Sequence, residues 1–116
     1  MLAKSARLTE SVEFARATKS GLRFSTQNFV GYLYPTTTNQ PARAGLIISK
    51  NVGGSVTRHR IARKARHTLQ ENYSKLPNGS LVVIRALNSA STADVTQEVS
   101  KIIDLLVKKL SEKANQ

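Results

Sequence analysis

The sequence has 116 residues, enough for one domain, and contains 18 lysines and arginines against 7 aspartates and glutamates. The net charge of +11 and the isoelectric point near 10.6 are typical of proteins that bind nucleic acid. Because the chain has no cysteine, disulfides, thiol nucleophiles and cysteine-ligated metals are excluded. We find neither a membrane-spanning apolar run nor the apolar core of a signal peptide, so we expect a cytoplasmic protein without membrane contact.

The charges are unevenly distributed along the chain. No acidic residue lies between Phe14 and Gln70, whereas that segment holds more than half of the basic residues. They are Arg16, Lys19, Arg23, Arg43, Lys50, Arg58, Arg60, Arg63, Lys64 and Arg66. A charge that served only solubility would be spread more evenly, so this half of the chain is predicted to face a polyanion.

The chain begins with an arm and a short helix. Residues 1–8 are basic and are expected to form the arm. Ser11 is a suitable N-cap for a helix that continues to about Thr18. Gly21 suits the position that follows a helix end, so we expect the helix to stop before it.

Three strands are predicted next, at residues 22–25, 28–34 and 42–49. The second strand is rich in aromatic residues, and its Tyr32 shares one face with Val30 and Tyr34. We expect that face to be open, as a surface on which single-stranded RNA bases can stack. The third strand contains the uninterrupted apolar run 46–48, which predicts burial on both faces.

The most distinctive stretch covers residues 50–66 and reads KNVGGSVTRHRIARKAR. Gly53 and Gly54 are expected to give a tight entry with positive φ, after which Ser55 caps a helix. Helical spacing gives this helix an apolar side, on which Arg58 also falls, and a basic side. The basic side carries His59, Arg60, Arg63, Lys64, Arg66 and His67. No carboxylate balances it, and a polyanion would relieve the repulsion between like charges.

The last third is predicted to form a strand and a helix. Residues 81–87 read as a buried strand, and Thr92 or Asp94 caps a final helix before a frayed tail at 111–116. The element order is therefore α-β-β-β-α-β-α. It predicts an α/β two-layer sandwich on a mixed four-stranded sheet in which the third and fourth strands are parallel.

Residues for catalysis or for metal binding do not cluster in the sequence. The seven carboxylates are too scattered to hold catalytic metal ions or to form an acid–base pair. Asp94 and Glu98 are better explained by a helix cap and a solvated helix face. His59 and His67 lie two turns apart without a third ligand, so contact with RNA or solvent is favoured over a metal. We therefore assign no catalytic residue and no metal ligand.

The stretch 50–66 resembles the central signature of the protein subunit of bacterial ribonuclease P, Lys-x-Val-Gly-Asn-Ala-Val-x-Arg-Asn-Arg-Ile-Lys-Arg. The preceding RAGLIISK resembles the third strand of that family. RLTESVEFARATKSG resembles its arm and first helix, with Phe14 at an aromatic position. The chain departs from the family pattern at Thr18, Gly54, Ser55, His59 and Ala62.

The resemblance implies both a fold and a function. The fold would be a single RNA-binding domain, ribosomal protein S5 domain 2-like, with a left-handed β-α-β crossover against the general rule. The protein would bind ribonuclease P RNA and precursor tRNA. That RNA subunit would remove the 5′ leader of the precursor, using Mg²⁺ bound mainly through the RNA. No obligatory protein partner is implied.

The resemblance also assigns roles to particular residues. Phe14, Val30, Tyr32 and Arg58 would line a cleft for the leader between the first helix and the sheet. Gly53 and Gly54 would form the entry of the basic helix. The residues expected to contact the RNA subunit are Lys50, Arg58, His59, Arg60, Arg63, Lys64 and Arg66.

Three other classes of protein remain open from the residues alone. A small basic ribosomal or ribosome-associated protein would share the size and charge, but it would not need the glycine entry or the aromatic strand. A protein-only nuclease is disfavoured by the scattered acids. A DNA-binding module is disfavoured because the basic helix has no Asn or Gln between Ser55 and Leu69 with which to read bases.

Overall fold

The computed structural model describes residues 7–8 and 11–114, with side chains as far as residue 112. Of the predicted arm, only Arg7 and Leu8 fall within the described residues. The tail predicted from residue 111 is instead helical as far as Ala114, because the last helix continues further than its apolar stripe.

Within the described residues, helices and strands follow the predicted order. The helices are α1 (Ser11–Ser20), α2 (Ser55–Glu71) and α3 (Val95–Ala114), and the strands are β1 (Leu22–Ser25), β2 (Phe29–Pro35), β3 (Arg43–Ile47) and β4 (Ser80–Ala86). Short 3₁₀ turns occupy Lys50–Val52, Tyr73–Lys75 and Asn88–Thr92. The predicted elements are confirmed, although β3 ends at Ile47, two residues before the predicted end.

The strands form one mixed sheet in the order β1-β2-β4-β3. β2 pairs antiparallel with both β1 and β4, whereas β3 and β4 are parallel, as predicted. Because β4 is hydrogen-bonded on both sides and covered on both faces, its run Leu81–Ile84 is buried. Helix α2 makes the crossover from β3 to β4; its left-handed sense stays a prediction.

The expectation that residues 46–48 are buried on both faces is wrong. Leu46, Ile47 and Ile48 are only half-buried, because β3 is an edge strand. From the described part of the arm, Arg7 forms a parallel bridge with Ala44 on the outer side of β3.

The main hydrophobic core lies between one face of the sheet and helices α2 and α3. Gly31 of β2 shows how closely α3 approaches: a Cβ there would lie 2.1 Å from Cγ2 of Ile102. The largest fully buried side chains of this layer are Phe29, Leu33, Ile61, Leu69, Ile84, Ile102, Ile103 and Leu106. Burial of this apolar surface is the main source of stability for the two-layer body.

Helix α1 covers part of the opposite face of the sheet. A second apolar cluster lies beneath it, made of Leu8, Ala17, Val30, Tyr32, Leu81 and Val83. Phe14, Tyr34, Ile47 and Leu87 pack against this cluster and are partly buried. The side chains of Val30 and Tyr32 therefore contribute to a core, which bears on their predicted role below.

The beginning of α3 corrects one interpretation of the acidic residues. Asp94 caps the helix, since its Oδ1 accepts from the backbone N–H of Gln97 at 3.1 Å, as predicted. Glu98 does not lie on a solvated face. Its carboxylate accepts from Thr26 Oγ1 at 2.6 Å and from the Asn28 backbone N–H at 3.0 Å, which ties the β1–β2 turn to α3.

Candidate nucleic-acid interface

Helix α2 presents the exposed basic side that its sequence predicts. His59, Arg60, Arg63 and Lys64 are exposed, and Arg66 is half-buried beside them. The opposite side of the helix packs into the core through Ile61, Ala65, Thr68 and Leu69. A shallow surface pocket of about 530 Å³ on the basic side is lined by Val56, His59, Arg60, Arg63 and Arg66. These five residues, with Lys64, are called the cationic face below.

The entry to α2 depends on only one of its two glycines. Gly53 has φ 159° and ψ −175°, and a Cβ on it would lie 3.0 Å from Cγ2 of Thr57. Gly54 has φ −68° and open space around it, so the expectation of positive φ there is wrong. Gly54, not Ser55, occupies the N-cap position, and it offers no side chain to bond the first turn.

Two arginines of α2 are partly occupied by contacts within the protein. The Nε of Arg58 donates to the carbonyl oxygen of Gly53 at 3.2 Å, which secures the entry loop. A guanidinium nitrogen of Arg60 donates to the carbonyl oxygen of Ser91, which joins α2 to the 3₁₀ turn Asn88–Thr92. Both arginines thus hold the shape of this end of the molecule as well as contributing charge.

Two of the ion-paired carboxylates lie away from α2, since Glu13 pairs with Arg43 and Asp104 with Lys75. Glu71 pairs with His67 on α2 itself, so the expectation that no carboxylate balances the basic side is wrong at His67. Among the described residues, none of the arginines or lysines from 58 to 66 forms an ion pair. Helix α2 also lacks an acidic residue in its first turn, so its positive dipole end adds to the positive potential.

The residues predicted to line the leader cleft are brought together only in part. Phe14, Val30 and Tyr32 meet in the apolar cluster beneath α1. However, Val30 is 4% exposed and Tyr32 is 8% exposed, so the expected open aromatic face is closed by α1. Arg58 points back to its own entry loop instead of joining them.

An open cleft does lie at the adjacent end of the same sheet face. It has a volume of about 570 Å³ and is lined by Ile47, Ser49, Asn51, Arg85, Ala86, Leu87, Asn88 and Ser89. Arg85 is exposed there and pairs in register with Val30, so this open cleft begins where the buried cluster ends. Sequence reasoning missed it, although one arginine within the apolar run LVVIRAL was a signal.

Across residues 7–8 and 11–114, no three His, Asp or Glu side chains gather in a way that could hold a metal ion. In the same residues, no helix has the length and apolar character needed to cross a membrane.

The fold and the charge distribution together define a class: small α/β proteins that present an unneutralised basic helix. Comparison of sequences is more specific. The chain matches the family model Ribonuclease P over residues 2–110. It is 38% identical over 105 residues to the ribonuclease P protein component of Streptomyces avermitilis, covering 84% of this chain and 85% of the relative. It is 36% identical over 118 residues to that of Streptomyces bikiniensis, covering 95% of each.

Solved structures agree on the fold. The ribonuclease P protein of Staphylococcus aureus matches with a TM-score of 0.76 at 22% identity, covering 92% of this chain and 96% of that one. The protein from Thermotoga maritima matches with a TM-score of 0.72 at 21% identity, covering 88% and 96%. The chain therefore belongs to the ribonuclease P protein family, which confirms the resemblance drawn from residues 50–66. Proteins of this family are components of ribonuclease P, a ribonucleoprotein that processes tRNA.

Proposed function

We propose that this chain is the protein subunit of ribonuclease P and binds its catalytic RNA through the cationic face of α2. The observation that carries the proposal is the set of basic side chains there without ion-pair partners among the described residues. In the free protein these positive charges repel one another, and those near the N-terminus of α2 also lie close to the positive end of its dipole. Phosphates of a bound RNA reverse that cost and release counterions.

The single-stranded 5′ leader of precursor tRNA is proposed to enter the open cleft beside Arg85. This cleft joins an apolar floor, including Ile47 and Leu87, to the amide side chains of Asn51 and Asn88. A floor of this kind suits a base, amides suit its polar edge, and a guanidinium suits a phosphate. We assign Phe14, Val30 and Tyr32 a packing role beside this cleft, because Val30 and Tyr32 are buried and Phe14 packs against their cluster.

Chemistry is proposed to take place in the RNA subunit with Mg²⁺. The carboxylates and histidines that the structure describes do not form a set that fits a metal ion, so no step is derived from Mg²⁺ bound to these residues. The role of the protein is then to position the RNA subunit and the substrate.

The test is a cleavage assay on precursor tRNA at near-physiological Mg²⁺. It compares this protein alone, a bacterial ribonuclease P RNA alone, and the mixture. We expect cleavage only in the mixture, or much faster there than with RNA alone. Cleavage by the protein alone would contradict the assignment of chemistry to RNA. A mixture no faster than the RNA alone, with a cognate RNA, would favour a ribosomal role instead.

A further inference from the structure

His59 is the member of the cationic face whose charge can change near neutral pH. Arginine and lysine stay charged there, whereas an ordinary histidine loses its proton at about pH 6.5. The side chain of His59 is exposed and lines the shallow pocket of about 530 Å³ together with Arg60 and Arg63. The signature that residues 50–66 resemble has Asn at this position, and Asn does not titrate. The charge of the cationic face therefore depends on pH in this chain.

The charged side chains of α2 that surround His59, from residue 58 to residue 66, are all positive. Arg60 follows His59 directly, and Arg63 lies one turn further along the same side. The first acidic residue of the helix is Glu71, about three turns beyond His59, and it pairs with His67. Protonation of His59 thus adds a like charge to this face, and no carboxylate of the helix offsets it.

The elements that pack against the start of α2 do not offset this charge either. They are the 3₁₀ turns Lys50–Val52 and Asn88–Thr92. The first turn contributes the exposed Lys50, and the second contains no charged residue. Asp94 follows the second turn, but its carboxylate caps α3. Among the described residues, no carboxylate forms an ion pair with His59.

A bound RNA would reverse this balance at His59. A phosphate close to an imidazole favours its protonated form, because opposite charges attract. The protonated ring also offers two N–H donors, whereas the neutral ring offers one. His59 shares its pocket with Arg60 and Arg63, so phosphates bound by those arginines lie within its surroundings. Binding of the RNA then draws a proton from solution onto the ring.

We infer that His59 couples RNA binding to proton uptake, so that the affinity of this chain for ribonuclease P RNA rises as the pH falls through neutrality. The inference rests on the proposed function and deepens it by adding regulation by pH. The added affinity should be largest on the acid side of neutrality. It should disappear at higher pH, once the imidazole in the complex has also lost its proton.

His67 provides a matched control on the same helix. It is exposed like His59, but its Nε2 lies 2.8 Å from a carboxylate oxygen of Glu71, and it does not line the pocket. A positive charge on His67 is therefore balanced within the protein before any RNA binds. The comparison of the two histidines separates titration on the cationic face from titration of an exposed histidine in general.

The test measures the affinity of the wild-type chain, His59→Asn and His67→Asn for ribonuclease P RNA at about pH 6 and about pH 8, on either side of the range in which histidine titrates. At the lower pH the wild type should bind about three- to ten-fold more tightly than His59→Asn, as expected for one charge-assisted contact. Its salt slope there should be steeper by about 0.7–0.9, since one more phosphate is neutralised. At the higher pH the two proteins should agree within about two-fold. His67→Asn should keep the pH dependence of the wild type.

Calorimetry in two buffers with different heats of ionisation measures the proton uptake directly. Near pH 7 the wild type should take up a larger fraction of a proton per complex than His59→Asn does. An equal pH dependence of the two proteins, or a loss of affinity in His59→Asn that is the same at both pH values, would overturn the inference. Loss of the pH dependence in His67→Asn alone would overturn it as well.

Thermal unfolding of each variant at both pH values shows whether the proteins being compared are folded. Both histidines are exposed, so we expect the two substitutions to leave the unfolding temperature nearly unchanged. Failure of the wild-type chain to bind ribonuclease P RNA at either pH would reject the proposed function itself. Binding that is tight but independent of pH would reject only the role of His59.

Discussion

Glu13 of α1 and Arg43 of β3 form an ion pair in which both carboxylate oxygens accept from guanidinium nitrogens, one of them at 2.9 Å. The pair is largely sheltered from solvent, with side-chain exposures of 16% for Glu13 and 31% for Arg43. It fixes α1 across the sheet next to Phe14, so it positions the apolar cluster beneath α1.

Replacing Glu13 with Gln should therefore destabilise the fold. We expect a loss of about 1–2 kcal/mol in the free energy of unfolding, because Arg43 keeps its charge and loses a two-point partner. Urea denaturation measures this loss. Glu71→Gln is the control, since its pair with His67 is exposed on both sides and should change stability by no more than about 0.5 kcal/mol. Equal effects of the two variants would mean that the Glu13 pair is also an ordinary surface contact.

Arg63→Ala should weaken binding to ribonuclease P RNA without changing stability. Arg63 is exposed on the cationic face, and no described residue forms an ion pair with it. Loss of one phosphate contact should reduce the slope of log affinity against log salt by about 0.7–0.9. Lys108→Ala, an exposed change of equal charge on α3, should leave the slope nearly unchanged. An unchanged slope for Arg63→Ala, or for Arg60→Ala with Arg63→Ala, would remove these arginines from the RNA interface.

Substitutions of the two glycines before α2 should change the stability of the protein in opposite directions. Gly53→Ala is expected to lower the free energy of unfolding by about 1–3 kcal/mol, because an alanine is strained at the φ of Gly53 and its Cβ would press on Thr57. Gly54→Ser is expected to stabilise the protein by a few tenths of a kcal/mol, about the usual difference between these residues at an N-cap. Thermal or urea unfolding of the pair tests the prediction. A larger loss at Gly54 than at Gly53 would contradict the backbone description of this loop.

Glu98→Ala should loosen the β1–β2 turn. The substitution removes the acceptor for the Thr26 hydroxyl, the Asn28 backbone N–H and the Asn28 side-chain amide. We expect a loss of about 1.5–3 kcal/mol in unfolding free energy, with faster amide hydrogen exchange at Asn28. Glu112→Ala, an exposed change later on α3, is the control and should have little effect. Unchanged exchange at Asn28 would show that the turn does not depend on this carboxylate.

Substitutions at Arg85 and Val30 should have different effects, on leader binding and on stability respectively, although the two residues are neighbours in the sheet. Arg85→Ala is expected to lower the affinity of the holoenzyme for precursor tRNA with a leader and to leave affinity for mature tRNA unchanged. Val30→Ala should mainly reduce stability, since full burial of a valine contributes about 1.5–3 kcal/mol. Leader-selective binding loss in Val30→Ala at full stability would instead support a direct role for Val30.

Most of the fold could be predicted from the sequence because its elements have clear boundaries. Gly21, Pro35 and the pair Asn78-Gly79 separate segments whose apolar spacing is either helical or strand-like. The basic side of α2 could also be predicted, since helical spacing alone determines which residues share a side.

The remaining features depend on contacts between distant parts of the chain. The run at Leu46 suggested a central strand, but strand order is set by pairing and left β3 at the edge. Tyr32 alternates correctly along β2, yet only the position of α1 shows that it is covered. The role of Glu98 likewise depends on a turn seventy residues earlier at Asn28.

The position of β4 in the sheet also has a consequence for biosynthesis. β4 lies between β2 and β3, yet it is the last of the four described strands to be synthesised. Until residues 80–86 have left the ribosome, the β1–β2 hairpin and β3 have no strand to join them, and α2 has no completed sheet to cover. Proteins are made at about 5–20 residues per second, so the incomplete sheet persists for seconds. The sheet is therefore completed only after β4 has been synthesised, and its unpaired strands are exposed to other nascent chains until then.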